Sequence, residues 1–333
     1  MSTKHLVTGG LGFIGSALVR RLVRDGHAVR SFDNSSRGSA ERLGACAKDV
    51  EIVEGDIRDP VAVRRAMKDI GCVWHLAFVN GTEFFYRYPA YVLDVGVKGM
   101  TNVLNGAIQE GVPELILASS SEVYQTPPSV PTDEETPLSV PDPLNPRYSY
   151  GGGKIISELM ALNYGREHFD RVLVFRPHNV YGPAMGYEHV IPQFICRLQS
   201  MAAASDRMDF PIQGDGLQTR AFIFIDDFVD GLLLMYGKGS HMNIYNIGTM
   251  DEVAIASLVT TVAACMGRNI RIVQGAAMEG GTLRRCPDTR KLKALGFCPK
   301  TTLEAGLRPT IEWYVSHPRP TRSGTIRADL FLS

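Results

Sequence analysis

Short apolar runs alternate with segments of helical spacing through the first half of the chain. The runs "KHLVT" (4–8), "HAVRSF" (27–32), "VEIVEGD" (50–56), "CVWHLA" (72–77), "ELILAS" (114–119) and "RVLVFRP" (171–177) each have the length of one buried strand. Between them, residues 12–26 place Ile14, Leu18, Leu22 and Val23 on one helical face. Pro60 is a good first-turn residue for a second helix. Residues near 90–110 read as one long helix and 150–168 as another. Apolar strands alternating with helices predict a parallel sheet covered on both faces, and right-handed crossovers make it doubly wound. The expected class is α/β, with a Rossmann-type sheet.

The stretch 126–147, "TPPSVPTDEETPLSVPDPLNPR", carries too much proline for a helix or a central strand. It reads as a long loop between strand and helix, and loops of this length are often functional. After about residue 178 the alternation weakens. "AFIFIDDFVDGLLLMY" (221–236) and "NIYNIG" (243–248) remain, with helices expected near 252–266 and 301–316. The pattern divides the chain into a sheet domain over 1–178, to which some later segments return, and a smaller C-terminal α/β lobe over 179–317. The polar, proline-containing end, 318–333, is expected to be loose.

Composition narrows the class. Lys+Arg and Asp+Glu stand at 35 each in 333 residues, so no basic excess marks a nucleic-acid binder. The six cysteines (Cys46, Cys72, Cys196, Cys265, Cys286, Cys298) include no Cys-x-x-Cys pair, and no His-Glu-x-x-His occurs, which argues against a dedicated metal site. Met1-Ser-Thr-Lys-His leads straight into a strand without a signal pattern, and no apolar run approaches the length of a membrane span. The expectation is a cytoplasmic protein with reduced thiols and no membrane partner, in which Asn34-Ser35-Ser36 carries no glycan.

"VTGGLGFIGSALVRRLV" sets Gly9, Gly12 and Gly15 in a G-x-x-G-x-x-G pattern between strand and helix. The first glycine permits a tight turn, the second lets backbone approach a pyrophosphate, and the third lets helix and strand pack closely. The helix N-terminus adds oriented N–H groups. Asp33, at the end of the second strand, is placed to accept from a ribose 2′-hydroxyl and to repel a 2′-phosphate, which favours NAD over NADP. Arg37 nearby is able to pair with a phosphate instead. Asp56 suits an adenine-edge acceptor or, equally, a helix cap.

In "RYSYGGGKIISE", Tyr150 and Lys154 stand at i, i+4, on one helical face. Such a pair also arises by chance on a surface. Gly151–Gly153 between them cost the helix about 1 kcal/mol each relative to alanine, so close approach of a cofactor ring or partner helix is expected there. A phenol titrating at about 10 becomes a base near neutral pH if a lysine ammonium and an oxidised nicotinamide lower it by roughly three units, a bias of about 4 kcal/mol. A serine from the run at 119–121 is a candidate to hold the same hydroxyl.

Taken together, "TGGLGFIG", "FDNSSRG", "EGDIRD", "HLAF", "ASSSEVY", "YSYGGGK", "RPHNVYGP", "GDGLQTRAFIFIDDFVDG" and "RRCPD" resemble, in order and spacing, the extended short-chain dehydrogenase/reductase family of nucleotide-sugar epimerases and dehydratases. The resemblance spans roughly residues 4–317. It implies bound NAD that is reduced and reoxidised within each cycle, a nucleoside-diphosphate sugar in the C-terminal lobe, and a homodimer through two helices per subunit. It implies Ser120, Tyr150 and Lys154 as the catalytic triad. Against the cofactor it puts Gly9, Gly12, Phe13, Ile14, Gly15, Asp33, Asn34, Arg37, Gly38, Asp56, Ile57, Leu76, Ala77 and Pro177, together with Tyr150 and Lys154. Asn179 and Arg220 match diphosphate-binding positions, with Arg285 assisting; a turn residue and an exposed strand charge are their plain alternatives. Asn80, Ser120 and His189 are candidates to face the sugar.

Glu122 separates the reactions. Members that dehydrate resemble Ser/Thr-Asp-Glu here, and Ser121 takes the place of their acid. GDP-mannose 3,5-epimerases have a cysteine where Glu122 stands and a lysine near His189. UDP-glucuronate decarboxylases resemble Ser120-Ser121-Glu122 and Arg220. Glu122 is compatible with decarboxylation, with C5 chemistry or with orienting the sugar. The expected function is NAD-dependent epimerisation at C4 through a transient 4-keto sugar. The runner-up is decarboxylation of a sugar uronate, ahead of dehydration, 3,5-epimerisation and a non-catalytic NAD sensor.

Overall fold

The structure is a computed structural model, described for residues 3–201, 207–276 and 282–318. Its centre is a seven-stranded parallel sheet. Six strands come from the first half: β1 (Lys4–Thr8), β2 (Ala28–Asp33), β3 (Val50–Glu54), β4 (Cys72–His75), β5 (Glu114–Ala118) and β6 (Arg171–Pro177). The seventh, Asn243–Ile247, arrives much later and pairs with β6. From edge to edge the order is 243–247, β6, β5, β4, β1, β2, β3. The winding direction reverses between β1 and β4, and the carboxyl ends of those two strands open the crevice where such sheets bind ligands.

The helices are α1 (Phe13–Arg24), α2 (Pro60–Ala66), α3 (Thr82–Arg87), α4 (Pro89–Leu93), α5 (Gly99–Gln109) and α6 (Tyr148–His168). Each sheet face is buried. Val7, Trp74, Ile116 and Phe175 lie under α1 and the later helices, while Leu6, Val73, Leu115 and Val174 lie under α2, α5 and α6. The alternation of these residues within single strands is why the runs read as continuously apolar.

Element ends differ from the sequence reading for local reasons. α1 is shorter than 12–26, because Gly12 is its extended N-cap and Gly26, at φ +86°, takes the chain out of the helix. The single helix expected near 90–110 is three pieces. Between α4 and α5 lies one π-helical turn, Asp94–Lys98, where the tip of the Phe78 ring occupies the space a Cβ on Gly96 would need. α6 starts at Tyr148, two residues early, after a turn in which the Asn145 carboxamide accepts from Arg147 N.

Beyond β6 the chain leaves the sheet. Helices Val190–Ser200, Ile255–Cys265 and Leu303–Ser316 pack on one another. Short strands Thr219–Ala221, Glu252–Ala254 and Arg284–Arg285 form a small sheet, and Met208–Ile212 pairs with Ile270–Gln274. Helix Ile225–Lys238 returns to pack on α1 and leads into the seventh strand. The residues 319–333 of the expected loose tail lie outside the described residues. Among the described residues no helix is long and apolar enough to cross a membrane.

Candidate active site

The glycine cradle sits at the carboxyl end of β1. Gly9 holds φ +71°, and a Cβ there would come within 2.9 Å of the Ala77 backbone. A Cβ on Gly15 would strike the Gly9 carbonyl. The loop can therefore turn this tightly only with glycine. Leu76 N donates to Thr8 O (3.2 Å) and Ala77 N to Thr8 Oγ1 (3.3 Å), fixing the strand ends beside it. Phe13 and Ile14 open α1, with their N–H groups at the cradle. Gly38 lies against Leu11, where a Cβ would meet Leu11 Cβ at 2.7 Å.

Asp33 ends β2 and supports the cradle itself: Leu11 N donates to Oδ2 (3.0 Å) and Ser35 N to Oδ1 (2.8 Å). Burial raises its pKa against those two bonds. Asp56 receives Asn34 Nδ2 (3.1 Å) and the Arg58 guanidinium, and its carboxyl is held low despite burial. Ile57 is buried beneath Gly99, and its carbonyl accepts from Asn102. Pro177 closes β6 at the sheet's carboxyl edge.

Arg37 reaches into the cleft. It donates to the Asn80 carbonyl, lies over the Phe84 ring at 5.1 Å and stands 3.8 Å from Glu188. That position is engaged with the loop after β4 and with residues just before His189, which precedes helix Val190–Ser200 as its N-cap.

Ser120, Tyr150 and Lys154 converge beyond β5. Ser120 caps a short turn, Ser121–Val123, accepting from Glu122 N at 3.1 Å, and its hydroxyl also hydrogen-bonds toward the Tyr150 phenol. Lys154 is 3 % exposed, donates to Ala118 O at 2.6 Å, and lies over the Phe78 ring at 4.1 Å. The protein's own charges alone do not make the phenol acidic, an outcome the sequence predicts only with the oxidised nicotinamide acting together with Lys154. Burial pushes Tyr150 up to about 12 and Glu122 adds to the rise; Ser120 and Arg37 oppose it. Burial also brings Lys154 down to about 7, against Glu158. Two of the three intervening glycines have close neighbours. Gly151 faces Gln125 and the Glu122 carbonyl, and Gly153 faces Phe78; Gly152 has only Val140 at 3.5 Å.

Glu122 is not a solvated acid. Arg285 Nη1 donates to its Oε1 at 2.5 Å. Burial works against its charge, yet Arg285, with Arg147 and Arg220 nearby, holds the carboxyl below its usual range. Arg220 is half-buried, donates to Thr219 O, and is brought down to about 10 by burial and by Arg285. Asn179 adopts φ +41° and donates through Nδ2 to Ala221 O at 3.0 Å. The turn role and the position facing Arg220 thus coexist in one residue. Asn179 and Arg220 line one cavity of about 610 Å³ with Gln193, Arg197, Gln213 and Phe222.

Beneath the serine run lies a buried polar network that the sequence reading did not anticipate. Glu158, one turn after Lys154, accepts from Ser119 Oγ and takes a bidentate pair from Arg176 at 2.9 and 2.6 Å. Arg176 Nη1 donates to Tyr124 OH (2.6 Å), which donates to Asn246 Oδ1 (2.9 Å) on the seventh strand. Arg147, Phe78 and Phe85 were also missed. Phe85 stacks on Tyr150 at 5.0 Å and 18°. The only advance sign of these contacts was the glycine run and the i, i+4 spacing of Lys154 and Glu158.

A dinucleotide cradle and a Ser–Tyr–Lys cluster on one doubly wound sheet define a class of nucleotide-dependent enzymes. The NAD dependent epimerase/dehydratase family matches residues 5–248, and the chain belongs to it. It is 33 % identical to a UDP-glucose 4-epimerase from Mycolicibacterium smegmatis over 320 residues, covering 93 % of this chain and 98 % of that one. It is 30 % identical to UDP-glucuronic acid decarboxylase 1 from Xenopus tropicalis over 334 residues, covering 95 % and 76 %. Among solved structures, the dTDP-glucose 4,6-dehydratase DesIV from Streptomyces venezuelae, with NAD bound, superposes with a TM-score of 0.82 at 28 % identity, covering 94 % and 97 %. Reductases also occur among the relatives. NAD is the cofactor of this family, and the glycine cradle of this chain fits it.

Proposed function

We propose that the protein epimerises a nucleoside-diphosphate sugar at C4. The observation that carries this reading is the meeting of Ser120, Tyr150 and Lys154 at the end of β5, with Glu122 already bound to Arg285. The glycine cradle and the Tyr150–Lys154 pair would hold NAD, which when bound would supply a hydride acceptor and donor for C4 and a positive charge beside the phenol. Tyr150 takes the proton of the C4 hydroxyl, Ser120 orients that hydroxyl, and Lys154 favours the phenolate. The ring of the 4-keto sugar turns over before the proton comes back from Tyr150. Asp33 holds the cofactor ribose, and the cradle backbone meets its pyrophosphate. Arg220 and Arg285 take the substrate diphosphate, and the cavity behind Asn179 takes the nucleoside.

A second reading has support in one observation. Arg147 and Arg220 flank Glu122, which gives a sugar carboxylate two cations beside a positioned acid, as decarboxylation of a uronate requires. A panel of UDP-, GDP-, CDP- and dTDP-sugars, uronates included, with NMR of the products and a carbon dioxide assay, separates the two. A C4 epimer without gas release supports the first. Gas release from a uronate replaces it with the second, and no product in the whole panel overturns both.

Exposed Leu93, Ile156 and Leu159 on the packed pair α4 and α6 support a homodimer through these helices. We place the protein in the cytoplasm, where its six free cysteines would stay reduced.

A further inference from the structure

Phe78 follows the "HLA" run after β4, and nothing in its sequence context assigns it a role. Its ring is wedged between two helices that glycines open to it. At Gly96, in the π-helical turn, a Cβ would collide with the ring tip; at Gly153, in α6, a Cβ would stand 3.2 Å from Cζ. From that seat the ring faces the Lys154 ammonium at 4.1 Å and stands at 86° to the Tyr150 ring, with centroids 5.1 Å apart.

The ammonium has few other partners. It donates to Ala118 O, and among the described residues no carboxylate lies within ion-pair distance of it. Glu158, the acid that favours its charge, is committed to Arg176 and Ser119. A ring face attracts a cation through its quadrupole, and more strongly where water is excluded.

We propose that Phe78 is a positioning residue for the Tyr150–Lys154 pair: its face holds the Lys154 ammonium in place and favours its charged form, and Gly96 and Gly153 exist as glycines to admit the ring. This rests on the assignment of that pair as the reacting groups. The π-helical turn is then the backbone feature that makes room for an aromatic support under a buried cation.

The test reads Lys154 directly and needs no substrate. The protein is labelled with ¹³C,¹⁵N-lysine, and the side-chain signal lost in Lys154→Arg is followed against pH. Its midpoint is expected near 7. The groups around it are His75 from β4, and Tyr150 and Glu158 from its own helix, with Arg176 bound to Glu158. His75 is held neutral through this range by burial and by Lys154, at about 3.

In Phe78→Leu, and with 3,5-difluorophenylalanine at position 78, the midpoint is expected to fall by about half a unit to one unit. Gly96→Ala, which displaces the ring, is expected to move it the same way. An unmoved midpoint in the difluoro protein, which keeps the ring's shape and so the fold, overturns the proposal. Failure of turnover on every sugar nucleotide, with the midpoint shift present, would instead count against the proposed reaction alone.

Discussion

Acid should unfold this protein steeply, because three buried histidines cannot accept protons while it is folded. His5 takes Trp74 Nε1–H on Nδ1 at 3.1 Å, and its Nε2 is buried without a partner. His75 shares a 2.8 Å bond with Thr8 Oγ1, and His178 bonds Asn246 while its Nδ1 has no partner. Burial brings His5 down to about 4, with His27 adding to the fall, and brings His75 and His178 to about 3. The unfolded chain binds these protons near pH 6.5, so stability is full above that value and is lost as pH falls toward 4 and then 3. Between pH 7 and 5.5 each histidine costs about 1.3 kcal/mol by linkage, roughly 4 kcal/mol together. Spread over an unfolding entropy of about 0.7 kcal/mol/K for a chain of this size, that lowers Tm by about 6 °C. Asp33 and Glu134, whose carboxyl pKa values are raised mainly by burial, work in the opposite direction. The assay is scanning calorimetry at pH 7.0, 6.0 and 5.5 and constant ionic strength. A Tm flat across that range would refute the argument, as would a His5→Gln variant whose pH slope is not reduced by about a third.

Other outcomes follow from the same geometry. Glu158→Ala leaves Arg176 charged, buried and unpaired, and should lower stability by about 3–5 kcal/mol in a denaturant titration. Tyr150→Phe should cut turnover by at least about a hundredfold while NAD affinity, measured by calorimetry, is kept. Asp33→Ala removes the acceptor of Leu11 N and Ser35 N, and should weaken NAD while leaving sugar-nucleotide affinity nearly unchanged in the same titration. Glu122→Gln should spare a 4-epimerase and cripple a decarboxylase, as carbon dioxide release will report.

What the sequence made legible was local. The central strands β4, β5 and β6 stand out because residues buried on both faces write themselves as nearly unbroken apolar runs, whereas β3, at the sheet edge, interleaves Glu51 and Glu54 with its apolar residues. Tyr150 and Lys154 are joined by helical spacing, and Gly9 and Gly15 by the tightness of their turn. What it hid was distant or geometric. Arg285 and Glu122 pair across 163 residues, and no periodicity announces that. The apolar rhythm of 90–110 runs through the π-helical turn without a break, since one wider turn hardly alters the spacing. The glycines at 151–153 signalled close approach but not its object: Gly151 answers to Gln125 and the Glu122 carbonyl, and Gly153 to a ring from another strand's end. The acidity of the phenol was argued from nearby cations, and burial outweighs them in the protein alone.

The last strand of the sheet is made of residues 243–247, and Asn246 on it holds Tyr124 and His178 from below. During synthesis on the ribosome, β6 must wait as an open edge, its Val172, Leu173, Val174 and Phe175 destined for full burial, until some seventy further residues have emerged. A nascent chain halted before that point exposes an adhesive border and lacks the floor of its catalytic loop. Truncation at the apparent end of the first domain should therefore yield an aggregating fragment, not a minimal cofactor-binding unit.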